Sequence, residues 1–124
     1  MSILKWINRL HKLWLAKDID RIIAMFDENC EYWETPFQQI IGIENIRKEW
    51  DAIKALNDFQ IEYSVLSSQK SHAIVNFRLE TKTIKQDIVN EFKLANGKCI
   101  YLKQWYMEKM GSRRERVKRI GVKI

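Results

Sequence analysis

The chain has 124 residues, of which 46% are hydrophobic and 31% are charged; this composition is that of a soluble globular protein and excludes a disordered or fibrous chain. Its length suits one domain with a substantial core, and no apolar run approaches the roughly 20 residues that a membrane-spanning helix needs. The formal net charge is +6, but residues 112–124 hold six basic side chains against Glu115 alone, so the rest of the chain is nearly neutral.

Neither the amino terminus nor the two cysteines indicates export. The first residues lack the basic, apolar and small-residue pattern of a secretory signal. Cys30 and Cys99 are expected to be buried, reduced thiols rather than a disulfide. A cytoplasmic protein is therefore predicted. The sequence shows no metal-ligand spacing, so it predicts neither a metal site nor a cofactor.

Two helices are predicted at the start of the chain. Over residues 2–16 apolar side chains recur at helical spacing, and Ser2 can cap the first turn. Asp18 is predicted to cap a second, short helix. The apolar positions of the two helices are Ile3, Trp6, Ile7, Leu10, Leu13, Trp14, Ile19, Ile22, Ile23 and Phe26.

A strand and a third helix follow. Residues 30–35 favour a strand that Pro36 ends, because proline cannot donate to a sheet ladder. Helical periodicity returns after Gly42, and this helix is expected to end near Asn57. Its predicted buried face consists of Ile46, Trp50, Ile53 and Leu56.

The second half of the chain has the period-two pattern of strands. Residues 59–65 and 73–79 alternate apolar and polar side chains, with a turn predicted over 67–71. Residues 87–108 are predicted to form a long hairpin that turns at Asn96-Gly97. The whole order predicts an α+β domain, in which three helices cover one face of a strongly curved antiparallel sheet and a pocket can lie between the layers.

Four stretches, in this order, resemble the nuclear transport factor 2-like superfamily, particularly the SnoaL-like group that includes ketosteroid isomerases and polyketide cyclases. The resemblance spans residues 3–110 and implies a cone-shaped α+β (cystatin-like) domain with an apolar pocket, usually in a homodimer. We therefore predict a SnoaL-like domain at 1–110 and a basic tail at 111–124. The stretches are residues 17–20 with 25–29, Glu34-Thr35-Pro36, residues 42–46 with Trp50, and residues 96–98 with Trp105-Tyr106.

The resemblance also locates the catalytic positions of ketosteroid isomerases. Their general-base aspartate matches Thr35, directly after Glu34, and their hydrogen-bonding tyrosine matches Leu10. Their second acid falls at Asn90 or Glu91. The choice between Asn90 and Glu91 matters, because adjacent residues of a strand point to opposite faces of the sheet.

A second branch, the limonene epoxide hydrolases, is similar at Arg78 and Glu80, where it carries an arginine and an acid on one strand face. Its other catalytic acid matches Gln104. From the residues alone, Arg78 and Glu80 are equally compatible with a buried pair in the pocket and with a surface ion pair.

Three carboxylates are the predicted catalytic residues: Glu34, Glu80 and Glu91. Glu34 is the first choice, because Trp33 and Pro36 adjoin it and apolar neighbours raise the pKa of a carboxyl group into the range of a general base. The alternative is a solvent-facing glutamate at a strand end. The predicted ligand-binding residues, whose aromatic members could equally be core, are Trp14, Trp33, Trp50, Phe77, Arg78, Asn90 and Trp105.

Two classes of function fit these features. The first is a pocket protein for a small hydrophobic molecule, acting as an isomerase, cyclase or hydrolase with a carboxylate as acid or base. The second is a non-catalytic, dimeric interaction module whose basic tail binds nucleic acid or an anionic surface. For the tail itself, a solvated terminus is preferred, because no aromatic residue interleaves its charges.

A homodimer is predicted through the outer face of the sheet. The late strands place apolar residues in both phases, as with Ile74 beside Val75 and Ile88 beside Val89. Both faces of the sheet then need to be covered. The helices cover only one face, so a second copy of the chain is expected to cover the other.

Overall fold

The computed structural model describes residues 1–110, with side chains described for residues 1–108. The predicted basic tail therefore lies outside the described residues, and the boundary at residue 110 stays a prediction. The elements are α1 (Ile3–Leu15), α2 (Ile19–Ile23), β1 (Phe26–Thr35), β2 (Gln38–Ile40), α3 (Ile43–Asp51) with a 3₁₀ turn (Ala52–Ala55), β3 (Gln60–Gln69), β4 (His72–Glu80), β5 (Ile84–Ala95) and β6 (Lys98–Met110).

Both predicted helix caps are confirmed. The Ser2 hydroxyl accepts a hydrogen bond from the backbone N–H of Lys5, and the Asp18 carboxylate accepts one from the backbone N–H of Arg21. The assignment of Phe26 to the second helix is wrong: α2 ends at Ile23, and Phe26 is the first residue of β1, where it pairs with Cys99 of β6. Phe26 is nevertheless buried, because the start of β1 packs into the same core.

The six strands form one curved, unclosed sheet in the order β2-β1-β6-β5-β4-β3. Four of the neighbouring pairs are antiparallel, as predicted. The β1–β6 pair is parallel, which corrects the expectation of a purely antiparallel sheet. A parallel pair needs a long crossover, and everything between β1 and β6, including α3 and four strands, provides it.

The predicted β5–β6 hairpin is confirmed. Ala95 pairs with Lys98, and the two residues between them, Asn96 and Gly97, have φ angles of 53° and 76°. Two successive left-handed residues are what a two-residue hairpin turn requires, and Asn-Gly adopts them readily. The β3–β4 turn is tighter than predicted, because the strands remain paired as far as Gln69 and His72.

The core lies between the helices and one face of the sheet, here called the inner face. Fully buried side chains of α1, such as Trp6 and Leu10, meet the inner-face residues of β4, such as Val75 and Phe77. The opposite face, here called the outer face, carries the alternate residues of the same strands. Among the described residues, no helix is long and apolar enough to span a membrane.

The two cysteines lie close to each other in this core. Both are free and buried, and the thiol of Cys99 donates to the carbonyl oxygen of Tyr101 at 3.2 Å. Burial, followed by a hydrogen bond with Cys30, raises the pKa of the Cys99 thiol. The Cys99 thiol is therefore not poised as a thiolate. The cytoplasmic location stays a prediction.

Candidate functional site

A cavity of about 210 Å³ opens between the helices and the inner face of the sheet. Helices α1 and α3 form its roof, and strands β1, β5 and β6 form its floor. Its lining combines four aromatic rings with two carboxyl groups and two amides. The lining residues are Trp14, Tyr32, Glu34, Glu49, Trp50, Ala52, Gln86, Ile88, Gln104 and Tyr106.

Strand alternation brings the floor residues to one face. In β1, Tyr32 and Glu34 turn inward while Trp33 between them turns outward, since successive strand residues point to opposite faces. The parallel pairing of β1 with β6 places the end of β1 beside Gln104, whose side-chain N–H donates to the backbone oxygen of Glu34 at 3.3 Å. The floor is therefore tied together by the only parallel pair among the described strands.

Two carboxyl groups meet in this cavity. The side chain of Glu49, on α3, shares a hydrogen bond with the side chain of Glu34, on β1. Burial first, and then the negative charge of Glu34 and this hydrogen bond, raise the pKa of Glu49 above its ordinary value. Because two adjacent carboxylates repel each other, Glu49 holds a proton more readily than a separate glutamate would. The cavity thus contains a proton donor and a proton acceptor side by side.

Sequence reasoning missed Glu49, although a signal for it was present. The buried face of α3 is set by Ile46, Trp50 and Ile53, and Glu49 falls three residues after the first and four before the last. Residues at these spacings share one helix face. A charged residue inside an apolar stripe is unusual, and here it marks a carboxyl group that reaches the cavity.

The aromatic side chains around the pair pack against one another. Trp14 and Trp50 are in edge contact, with ring centroids 4.9 Å apart and planes at 80°. Behind them, Phe77 lies 5.2 Å from Trp14, centroid to centroid. Burial, followed by the negative charge of Glu49, raises the pKa of the Tyr32 phenol, so this group stays neutral at physiological pH.

Three buried polar atoms near the cavity have no hydrogen-bond partner among the described residues. Two are the indole N–H groups of Trp14 and Trp50, whose side chains line the cavity. The third is the side-chain oxygen of Asn90, which is the cross-strand neighbour of Gln104. Buried polar atoms in folded proteins nearly always have partners, so each of these exceptions requires an explanation.

Five of the ten residues predicted to form the site lie at or directly behind the cavity. Glu34, Trp14 and Trp50 line it. Phe77 packs against Trp14, and Asn90 occupies the inner face beside Gln104. These five residues are brought together from five different elements of the fold, which is what a built site requires.

The other five predicted residues are carried by the outer face. Each of the charged ones has partners there: Arg78 lies 3.8 Å from Glu62, and the ion pairs Glu80–Lys85 and Glu91–His72 span 3.5 and 2.8 Å. The surface ion-pair alternative therefore describes Arg78 and Glu80. The two aromatic members are Trp33 and Trp105, and the ammonium of Lys103 lies over both rings.

The positions carried over from the resemblance differ in their surroundings. The Thr35 hydroxyl accepts a hydrogen bond from the backbone N–H of Phe37 at 3.2 Å, and Leu10 is fully buried in the core. Gln104 does reach the cavity. In the part of the chain that the structure describes, no cluster of histidine, cysteine and acidic residues is arranged to hold a metal ion.

The sequence and the fold both have known relatives. The SnoaL-like domain family matches residues 7–102, and the chain belongs to this family. Among functionally curated proteins, none matches the sequence. Its α+β fold is shared by solved structures of nuclear transport factor 2-like proteins.

Three solved structures with this fold show how low the sequence identity is. One is the epoxide hydrolase/cyclase-like enzyme SalBIII, which has a role in pyran ring formation in the polyether salinomycin. It is 18% identical to this chain with a TM-score of 0.75, and the alignment covers 86% of this chain and 94% of SalBIII. A protein from Sphaerobacter thermophilus is 11% identical with a TM-score of 0.72, and the alignment covers 86% of this chain and 97% of that protein. A proposed ketosteroid isomerase from Kribbella flavida is 14% identical with a TM-score of 0.70, and the alignment covers 87% of this chain and 79% of that protein. At these identities, the likeness establishes the fold alone.

Proposed function

We propose that the chain binds a small molecule with an apolar body in the cavity and that Glu34 and Glu49 transfer a proton on it. The observation that carries this proposal is the hydrogen-bonded carboxyl pair, set among aromatic rings, with the pKa of Glu49 raised. Isomerases, cyclases and hydrolases all use such acid–base chemistry, and the family membership and the fold are compatible with each of them.

The two carboxyl groups have complementary roles in this proposal. Glu34, held through its backbone by Gln104, acts as the base that removes a proton from the ligand. Glu49, protonated more readily than an ordinary glutamate, donates its proton to a ligand oxygen. One proton leaves the ligand and one arrives, so the net result is a rearrangement without change of charge. The predicted acids Glu80 and Glu91 have no part in it, because they lie on the outer face.

The proposal is tested by proton exchange on an enolisable ketone of suitable size, 2-tetralone, in D₂O. The protein should accelerate the exchange of the protons beside the carbonyl above the rate in buffer. General acid–base catalysis contributes about 10²–10⁴-fold, so Glu34→Gln should reduce the acceleration by that order while the fold is retained.

Glu44→Gln is the matched control, because Glu44 lies on the same helix as Glu49 but is exposed. It should leave the exchange rate within about twofold of the wild type. A wild-type rate equal to that in buffer, or equal rates for the wild type and Glu34→Gln, would contradict the acid–base role.

We also propose that the outer face forms a homodimer. Trp105 and Met107 are about half exposed, and with Val89 and Pro36 they line an outer groove of about 440 Å³. The outer face also carries acidic and basic side chains, including Glu62 with Arg78 and Glu91 with His72, and a two-fold axis sets the same face of a second copy against it. A second copy is therefore the occupant that the face fits best.

Sedimentation velocity at micromolar concentration should show a dimer for the full chain. Trp105→Asp should shift the protein to monomers, because it buries an unpaired charge at the centre of the contact. Leu4→Asp, an equivalent change on the exposed side of α1, should leave the dimer intact. A wild-type monomer at these concentrations would exclude the proposed assembly.

A further inference from the structure

The cavity has an acidic lining in a basic protein. Glu34 and Glu49 are its formally charged residues, and no lysine, arginine or histidine occurs among the described residues that line it. The chain as a whole has a formal net charge of +6. The local field therefore opposes an anionic ligand and attracts a cation.

The aromatic rings of the cavity point to the same kind of ligand. Ring faces, those of tryptophan above all, attract ammonium groups within about 6 Å. On the outer face, Trp33 and Trp105 already hold the ammonium of Lys103, at 5.7 and 5.3 Å from their centroids. In the described chain, no lysine or arginine occupies such a position over the rings that line the cavity.

We infer that the ligand is an organic amine in its protonated form, with its ammonium group between Glu34 and Glu49 and its apolar body against the aromatic rings. This inference rests on the proposed function, because it concerns the same cavity and names the class of molecule that enters it. With the ammonium between them both carboxyl groups are ionised, so either can accept a proton from the ligand, and the ammonium N–H groups take the donor role that protonated Glu49 has with a neutral ligand.

Binding of such an ammonium should release a proton. A primary ammonium has three N–H donors and can therefore satisfy both carboxylates, replacing the proton that the free pair shares. Tyr32 stays neutral beside them, and Gln86 and Gln104 carry no titratable group. The displaced proton goes to solvent, so the affinity should rise with pH, by up to about tenfold per pH unit, until the free pair is fully ionised.

Isothermal titration of the full chain with three probes of similar shape tests this inference: 2-phenylethylamine, the neutral 2-phenylethanol and the anionic 3-phenylpropanoate. The amine should bind at least tenfold more tightly than the alcohol, and the anion most weakly. Titrations of the amine at one pH in two buffers of different ionisation enthalpy should differ in heat, which reports the released proton.

Glu49→Gln should weaken amine binding at least tenfold while alcohol binding changes less than about twofold, and Glu44→Gln should change neither. If Glu49→Gln does not fold, Glu34→Gln serves the same comparison. Binding of the alcohol as tight as that of the amine would overturn the ammonium inference and leave the proposed pocket standing. Failure of all three probes to bind would overturn both.

Discussion

Glu49 illustrates how one side chain can give a fold its chemistry. It occupies a position on α3 where neighbours at helical spacing are buried isoleucines and a tryptophan, and it meets Glu34 there. The Glu49 side chain is partly buried, and this burial together with the neighbouring charge of Glu34 raises its pKa. The two acids are therefore best understood as a unit.

The stability of the protein should depend on pH through this unit. Because the pKa of Glu49 is raised on folding, the folded protein binds its proton more tightly than the unfolded chain does. This contribution to the free energy of unfolding is fully present at pH values below the ordinary glutamate pKa, and it is lost as pH rises through the raised pKa.

Urea unfolding of the wild type and of Glu49→Gln, measured from about pH 4 to pH 8, checks this prediction. The wild type should lose stability relative to the variant as pH rises, because glutamine does not titrate. Glu44→Gln should follow the wild-type profile. Parallel curves for the wild type and Glu49→Gln would mean that the carboxyl pair does not titrate as proposed.

At the scale of single elements, alternation decides which residues of a strand can share a site. Phe77 and Arg78 are adjacent in β4, so only one of them can face a pocket, although both were predicted to bind ligand. The apolar phase of β4 is the buried one, with Phe77 and Leu79 inside and Arg78 and Glu80 outside. The sequence contained this distinction, and a stricter use of the two-residue period would have found it.

Pairings between distant strands could not be predicted in the same way. The hairpin at Asn96-Gly97 and the caps at Ser2 and Asp18 depend on neighbouring residues, and the structure confirms all three. The parallel β1–β6 pair depends on how strands far apart in the sequence come together in the sheet. It brings Gln104 to Glu34 across 70 positions of sequence, and no local pattern records that contact.

For the whole molecule, the order of elements was sufficient to predict the fold, and the contents of the cavity were not. Helices preceding a run of strands leave few ways to cover an antiparallel sheet, so the architecture follows from patterning. The identity of the cavity lining depends on how α3 is seated against β1 and β6. Tyr32 therefore became recognisable as a site residue only in three dimensions, whereas Glu49 had a sequence signal whose meaning depends on that seating.

The distribution of charge over the whole molecule leads to the last prediction. The described residues 1–110 form the sheet, three α-helices and a buried core, and this part of the chain is nearly neutral. Deleting residues 112–124 should therefore leave the thermal unfolding transition within a few degrees of the full chain, while removing any binding to polyanions.

Fluorescence anisotropy with a labelled DNA duplex measures that binding. For the full chain, any affinity should fall roughly a thousandfold between about 50 and 200 mM salt, because six basic side chains would release counterions from as many phosphates. A variant with Lys93 and Lys103 of the outer face changed to glutamine is the control, and it should retain most of the affinity. Undiminished DNA binding by the truncated chain would mean that the polyanion site lies in the folded domain and not in the tail.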